Sequence, residues 1–241
     1  MGLAIARRLA KDGTTVFVGT RSAGDKAHVR EVLGADADHI LAAVLDVRSR
    51  ESVDAFVADV VAARGGVDIL VNAAGVYDEA AIMDHPDQIW EDQIDINLSG
   101  TFRMIRAVMP HMIHAGWGRI INLASVAAHN GMANNAAYCA SKSGLLGLGR
   151  CVALEGAAHG VTCVSISPTW VETEMLRKFI NADMQATGQT LEQVRAAYAK
   201  SNPQTQLVQP TEIAELAAFL ASDAARALTM ADYQVNAGAL W

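Results

Sequence analysis

Ser125, Tyr138 and Lys142 fall in the spacing Ser-x12-Tyr-x3-Lys, with Asn97 upstream, and this set is where the 241-residue chain could do chemistry. A free phenol, with a pKa of about 10, is a poor acid or base near neutrality. A lysine four residues further along a helix lies on the same face, and its positive charge favours the phenolate. The serine ends an apolar run, Arg119-Ile-Ile-Asn-Leu-Ala124, and its hydroxyl could hold a carbonyl or alcohol oxygen beside the phenol. That describes a proton-transfer site for carbonyl/alcohol interconversion, and such a site needs a hydride carrier to be complete.

The surrounding pattern predicts what must position these groups. Short apolar runs at 14–19, 39–45, 67–71, 119–123 and 161–166 read as buried strands. Between them lie helical repeats; over 52–64, Val53, Phe56, Val57, Val60 and Val61 recur on one face. Strands alternating with helices predict an α/β fold, a doubly wound parallel sheet in three layers. Ligands in such sheets bind at the carboxyl ends of the strands. Asp46, Asn72, Ser125 and Pro168 all stand at or just after predicted strand ends.

Composition bounds the partners. A hydrophobic share of 51% supports a large core, and 241 residues suit one domain, 1–241. The net charge of −7 disfavours nucleic acid and anionic membrane as partners. Apolar runs stay well short of the roughly 20 residues that span a bilayer. Cys139, Cys151 and Cys163 are odd in number and widely spaced, which suits neither a disulfide framework nor a metal site. They read as small core residues in a reducing cytoplasm.

In their order along the chain, Leu70-Val-Asn-Ala-Ala-Gly75, Asn97-Leu-Ser-Gly100, the Ser/Tyr/Lys set and Pro168-Thr-Trp-Val-Glu-Thr173 resemble the short-chain dehydrogenase/reductase family. The resemblance covers essentially the whole chain and implies a Rossmann-like fold and an NAD(P)-dependent oxidoreductase. It implies that Tyr138 is the general acid in reduction and the base in oxidation, and that Ser125 orients the substrate oxygen. Lys142 would lower the phenol pKa and bond the nicotinamide ribose. Asn97 would hold a water that links Lys142 to solvent.

For the cofactor, the resemblance implies contacts from Asp46 and Val47 to adenine and from Asn72, Ala73 and Gly75 to the dinucleotide. Pro168, Val171 and Thr173 would hold the nicotinamide carboxamide. Ala73 and Thr169 depart from the family's usual asparagine and glycine. Arg21 follows a strand, and the residue before it, Thr20, is not the acidic residue of NAD-preferring relatives. A guanidinium there suits a phosphate, so NADP is expected, with NAD the alternative. Gly2 would be the last glycine of a Thr-Gly-x3-Gly-x-Gly turn. The expectation is therefore an N-terminally truncated sheet, begun at an internal methionine, whose missing strand would lie between those at 14–19 and 67–71.

Residues 174–209 read as a substrate lid, with Trp170 at its base and Met175, Leu176, Phe179 and Met184 on it. Tyr77, Asp78 and the stretch 129–135 are expected to line the site. Similar 3-hydroxybutyrate dehydrogenases carry a cationic pair where this chain has Ala127 and Asn135, so a free 3-hydroxy acid is disfavoured. A 3-oxoacyl thioester, a cyclic ketone and another secondary alcohol all stay open. Apolar helices near 94–112 and 141–158, with Gly144, Gly147, Gly149 and the tail Leu240-Trp241, imply a homotetramer or a homodimer. The alternatives to an oxidoreductase are a cofactor-free binding or regulatory protein on the same scaffold, and a lyase or epimerase using the Tyr/Lys pair.

Overall fold

β4 (Gly118–Leu123) and β5 (Val161–Pro168) are buried at every position. Strands covered on both faces need no alternation of polar and apolar residues, and these two show little. The computed structural model describes residues 1–22, 29, 31 and 39–239. The tail Leu240-Trp241 lies outside them. In the described residues β3 (Ile69–Asn72), β4, β5 and β6 (Asp232–Val235) form one parallel sheet in that order. A second parallel pair joins β1 (Val16–Thr20) to β2 (Ile40–Val44).

Helices cover both faces, as the alternation predicted. On one side, α1 (Gly2–Lys11) turns Ile5 and Leu9 inward, and α8 (Pro210–Leu220) adds Ile213 and Ala217 against Ile121, Val164 and Ile166. Arg8 of α1 reaches Glu215 of α8 at 2.8 Å. On the other side, α2 (Arg50–Arg64), α4 (Gly100–Ala115) and α5 (Ala136–Ala157) pack Phe56, Val108, Met112 and Val152 against Ile120 and Cys163. Successive strand residues thus feed opposite layers, as the period of two requires. The caps follow the sequence. Ser49 accepts from the Ser52 amide at 3.1 Å to start α2, and Gly65 ends it at φ 82°.

α3 (Asp87–Gln93) runs through a π-turn, Ile94–Ser99, into α4. Residues 174–209, the expected lid region, hold α6 (Glu174–Thr187) and α7 (Leu191–Lys200). Leu176, Ile180, Val194 and Leu207 give it a small core of its own.

Three differences from the sequence reading stand out. β6 was not predicted, and it completes the four-stranded half. Gly144 and Gly149 serve packing inside the chain, not a second helix from outside. A Cβ on Gly144 would come within 2.7 Å of Leu98, and Gly149 sits over Asn122, Cys163 and Ser165. Cys163 is buried, as expected of a core residue, but Cys151 is exposed.

Among the described residues the sheet is interrupted between β1 and β3. A cavity of about 1090 Å³ lies there, with β1 residues on one side and β3 residues on the other.

Candidate active site

A row of polar residues crosses the sheet near its carboxyl ends: Asn72, Asn122, Ser165 and Asp232 stand in register on four adjacent strands. The Asn72 amide donates to Asn122 at 2.9 Å, and both side chains are buried. Above this row the chain leaves the sheet and the candidate catalytic groups gather.

Ser125 caps a short turn, Val126–Ala128, through the Ala127 amide at 3.2 Å. Its hydroxyl also faces the phenol of Tyr138, on the first turn of α5, and favours the phenolate. Lys142 follows one turn later. Its Nζ is buried, donates to the Leu123 carbonyl at 2.8 Å and lies 5.7 Å from the centroid of the Tyr138 ring. Burial pushes the lysine pKa down from 10.5 to about 8. Burial also pushes the phenol above its ordinary value, opposed by the Ser125 hydroxyl.

Asn97 sits in the π-turn, a feature often found at functional sites. Its side chain accepts from the Val76 amide at 2.8 Å and donates to the Val76 carbonyl at 3.0 Å. It also donates to Ser141 at 3.1 Å, which ties the Gly75 loop to α5. The Asn97 carbonyl accepts from Thr101 at 3.0 Å. Ser141 escaped the sequence reading; its place one position before Lys142 was the available signal.

The expected cofactor residues divide into two groups. Gly2, Arg21, Asp46, Val47, Asn72, Ala73 and Gly75 all line the large cavity. Gly2 opens α1, and a Cβ there would meet Ala73 at 3.3 Å. A Cβ on Gly75 would lie 3.4 Å from Asn97 Oδ1 and 3.6 Å from Lys142 Nζ, so this loop connects the cavity to the buried lysine. Asp46 is engaged by Arg48, at 2.8 Å to the guanidinium, which holds its carboxyl below the usual range. Arg103 donates to the Val47 carbonyl at 3.1 Å and to Asp95 at 2.7 Å. Neither arginine was singled out from sequence.

Pro168, Val171 and Thr173 form the second group, beyond the end of β5. Thr173 donates to the Val171 carbonyl at 3.2 Å and caps α6. Val171 pairs with Val208, which pins the end of the lid region to its start.

Aromatic rings close over the phenol. Tyr77 packs edge-on to Tyr138 at 4.7 Å and to Phe179 at 4.8 Å; Trp170 lies 6.1 Å from Phe179 and 4.9 Å from Tyr198. The Tyr77 hydroxyl donates to Glu79, and that of Tyr198 donates to Asp183 at 2.7 Å. Burial and then the neighbouring carboxylates push both phenols up. Tyr77 was expected here, and so was the 129–135 stretch. Within that stretch the structure separates Asn135, near the site, from His129, which turns away to Asp232 at 2.7 Å.

The family model described as enoyl-(acyl carrier protein) reductase matches residues 1–239. D-beta-hydroxybutyrate dehydrogenase of Rhizobium meliloti is 38% identical over 243 residues, covering 99% of this chain and 93% of that protein. A 3-oxoacyl-(acyl-carrier-protein) reductase of Vibrio harveyi is 36% identical over 238 residues, covering 99% and 92%. Among solved structures, an actinorhodin polyketide ketoreductase variant with NADPH superposes with a TM-score of 0.93 at 35% identity, over 98% of this chain and 92% of that one. With the Ser/Tyr/Lys geometry and end-to-end relatives in agreement, the chain belongs to the short-chain dehydrogenase/reductase family.

Proposed function

We propose that this chain interconverts a neutral ketone and a secondary alcohol, with NADP(H) as hydride carrier and NAD(H) as the alternative. The observation that carries the reading is the Tyr138 phenol facing the Ser125 hydroxyl, with the Lys142 ammonium 5.7 Å from the centroid of its ring at the end of β4. A donor and an orienting hydroxyl meet where one carbonyl oxygen could accept from both. In reduction Tyr138 gives its proton to that oxygen while Ser125 orients it. Lys142 recharges the site, and the Asn97–Ser141 contact holds the π-turn against the helix that carries both residues.

The residues fit a dinucleotide. Gly75 offers a backbone cradle that a Cβ would fill, next to the buried lysine. Arg21 is exposed at the end of β1, next to Thr20, and suits a 2′-phosphate. Asp46, Val47, Asn72, Ala73 and Gly2 would flank the adenosine half, and Pro168, Val171 and Thr173 the nicotinamide half. When bound, the nicotinamide supplies or accepts the hydride. The relative solved with NADPH supports the phosphate-bearing form.

The lid, 174–209, narrows the substrate within one domain. Ala127 and Asn135 offer no cation to a carboxylate, while Glu79 and Asp183 bring acidic groups to the aromatic wall. A neutral ketone on an apolar or cyclic frame fits that surface better than a free 3-oxo acid. Exposed Phe102 on α4 and Leu154 on α5 support pairing with a second copy, as homodimer or homotetramer. No described helix is long and apolar enough to cross a membrane, and the three cysteines are free, in keeping with a cytoplasmic enzyme.

The test is consumption of NADPH with a bicyclic ketone such as trans-1-decalone. Tyr138→Phe is expected to lose about a thousandfold in kcat while still showing an NADPH-dependent thermal shift. Equal rates for the variant and the parent chain would refute the reading.

A further inference from the structure

We infer that Arg103 is a positioning residue for the adenosine half of the dinucleotide, holding the backbone of the Asp46–Val47 wall against the π-turn. The inference rests on the proposed cofactor and adds to its site a residue that does not line the cavity. The guanidinium forms a bridge. Nη2 donates to the Asp95 carboxylate at 2.7 Å, while Nη1 donates to the Asp95 carbonyl at 3.5 Å and to the Val47 carbonyl at 3.1 Å.

One end of the bridge is anchored. The π-turn that carries Asp95 is tied on its other side, where Asn97 bonds Val76 and Ser141 and Leu98 sits against Gly144. The other end needs holding, because Val47 lies in the connection between β2 and α2, where strand pairing has stopped. Arg48 cannot supply the anchor. It pairs with Asp46, two residues away, and moves with the same loop.

The wide turn makes the bridge possible. On a regular helix, residues eight apart point about 80° away from each other. The π-turn absorbs one residue, so Asp95 and Arg103 stand like an i, i+7 pair, within about 20°. Helical side chains lean toward the N-terminus, so Arg103 reaches back over the turn. A separate contact seats the same wall. A Cβ on Gly100 would lie 2.7 Å from Val47 Cγ2 and 2.9 Å from its Cβ, so the valine side chain rests on the start of α4. Val47 is thus gripped at its carbonyl and at its side chain. The Arg103 side chain is 22% exposed, which shields the bridge from the screening that weakens surface pairs. A planar fork suits two acceptors in different directions, and the point charge of a lysine does not.

The test compares Arg103→Ala and Arg103→Lys with the full parent chain, using adenosine diphosphate, NADPH and NADH as probes. Calorimetry is expected to show adenosine diphosphate binding about tenfold more weakly to both variants. In the ketone assay, KM for NADPH and for NADH is expected to rise by the same factor, about tenfold, with kcat within about twofold. Arg21→Ala differs, because its loss falls on NADPH alone. Hydrogen exchange is expected to speed up about tenfold at the Arg48 and Ser49 amides and to match the parent at Val76. Millimolar guanidinium is expected to restore binding by Arg103→Ala, and ammonium is not. Parent-like affinity in either variant overturns the inference, as does faster exchange spread over the whole chain. So does a parent chain that fails to bind adenosine diphosphate. A parent chain that binds it but leaves the ketone unreduced removes the proposed reaction alone, and the calorimetry and exchange still decide the role of Arg103.

Discussion

The two half-sheets are built from similar apolar runs but end in different surroundings. In the four-stranded half, β4 and β5 are buried along their whole length, and each is paired on both sides. In the two-stranded half, β1 is half-buried at four of its five positions and, among the described residues, paired on one side only. Every group assigned to proton transfer belongs to the first half or to its helices. Most of the expected dinucleotide contacts lie on the walls between the halves. The frame for the chemistry and the frame for the cofactor are therefore separable in this fold, and they can be perturbed separately.

Core truncation gives the largest contrast. Ile120→Ala removes a fully buried side chain from β4 and is expected to cost about 3–5 kcal/mol in urea unfolding. Val18→Ala, beside the cavity, is expected to cost about 1 kcal/mol or less, because its neighbours are already incomplete. Equal losses would mean that the halves are one cooperative body.

The buried lysine sharpens the comparison through pH. With a folded pKa of about 8 against an ordinary 10.5, the folded chain binds fewer protons than the unfolded chain between those values. Stability contributed by this group therefore rises with pH from about 8 to 10.5, and the charge penalty is fully present below. Relative to Lys142→Met, the parent chain should gain about 3 kcal/mol across that window. A flat difference would place Lys142 in contact with solvent.

On the cofactor side, Arg21→Ala is expected to raise KM for NADPH about tenfold and to leave KM for NADH unchanged. A parallel rise for both would remove the phosphate assignment. The smallest effect is expected at the lid. Glu172, which pairs with Arg195 at 2.8 Å, is partly exposed, so Glu172→Gln should lower stability by less than about 1 kcal/mol. Faster proteolysis near Gly188 without a change in the global unfolding midpoint would show that the pair restrains the lid alone.

The candidate catalytic set was legible because its logic is local: a four-residue helical offset and a hydroxyl at a strand end. The strands at 119–123 and 161–166 were equally plain, since doubly covered strands are continuous apolar runs. β6 was not, because Asp-Tyr-Gln-Val is short, polar and only half-buried. The Asn72–Asn122 pair joins residues fifty apart through strand register, which no local pattern contains. Arg48 and Arg103 carry no local motif signal; only the fold shows that they hold Asp46 and Val47. Gly144 and Gly149 were legible as sites of close approach, but the approaching groups belong to this chain.

The turn at Ile94–Ser99 also sets a constraint on how the chain can vary. One surplus residue per turn rotates everything after it by about 100° relative to an unbroken helix. Deleting a single residue there would give a more regular helix by every local measure. It would also swing Asn97 off the Gly75 loop and turn the inward stripe of α4 toward water. Insertions and deletions in this helix are therefore tolerable only in numbers that restore its phase, whatever they do to its length.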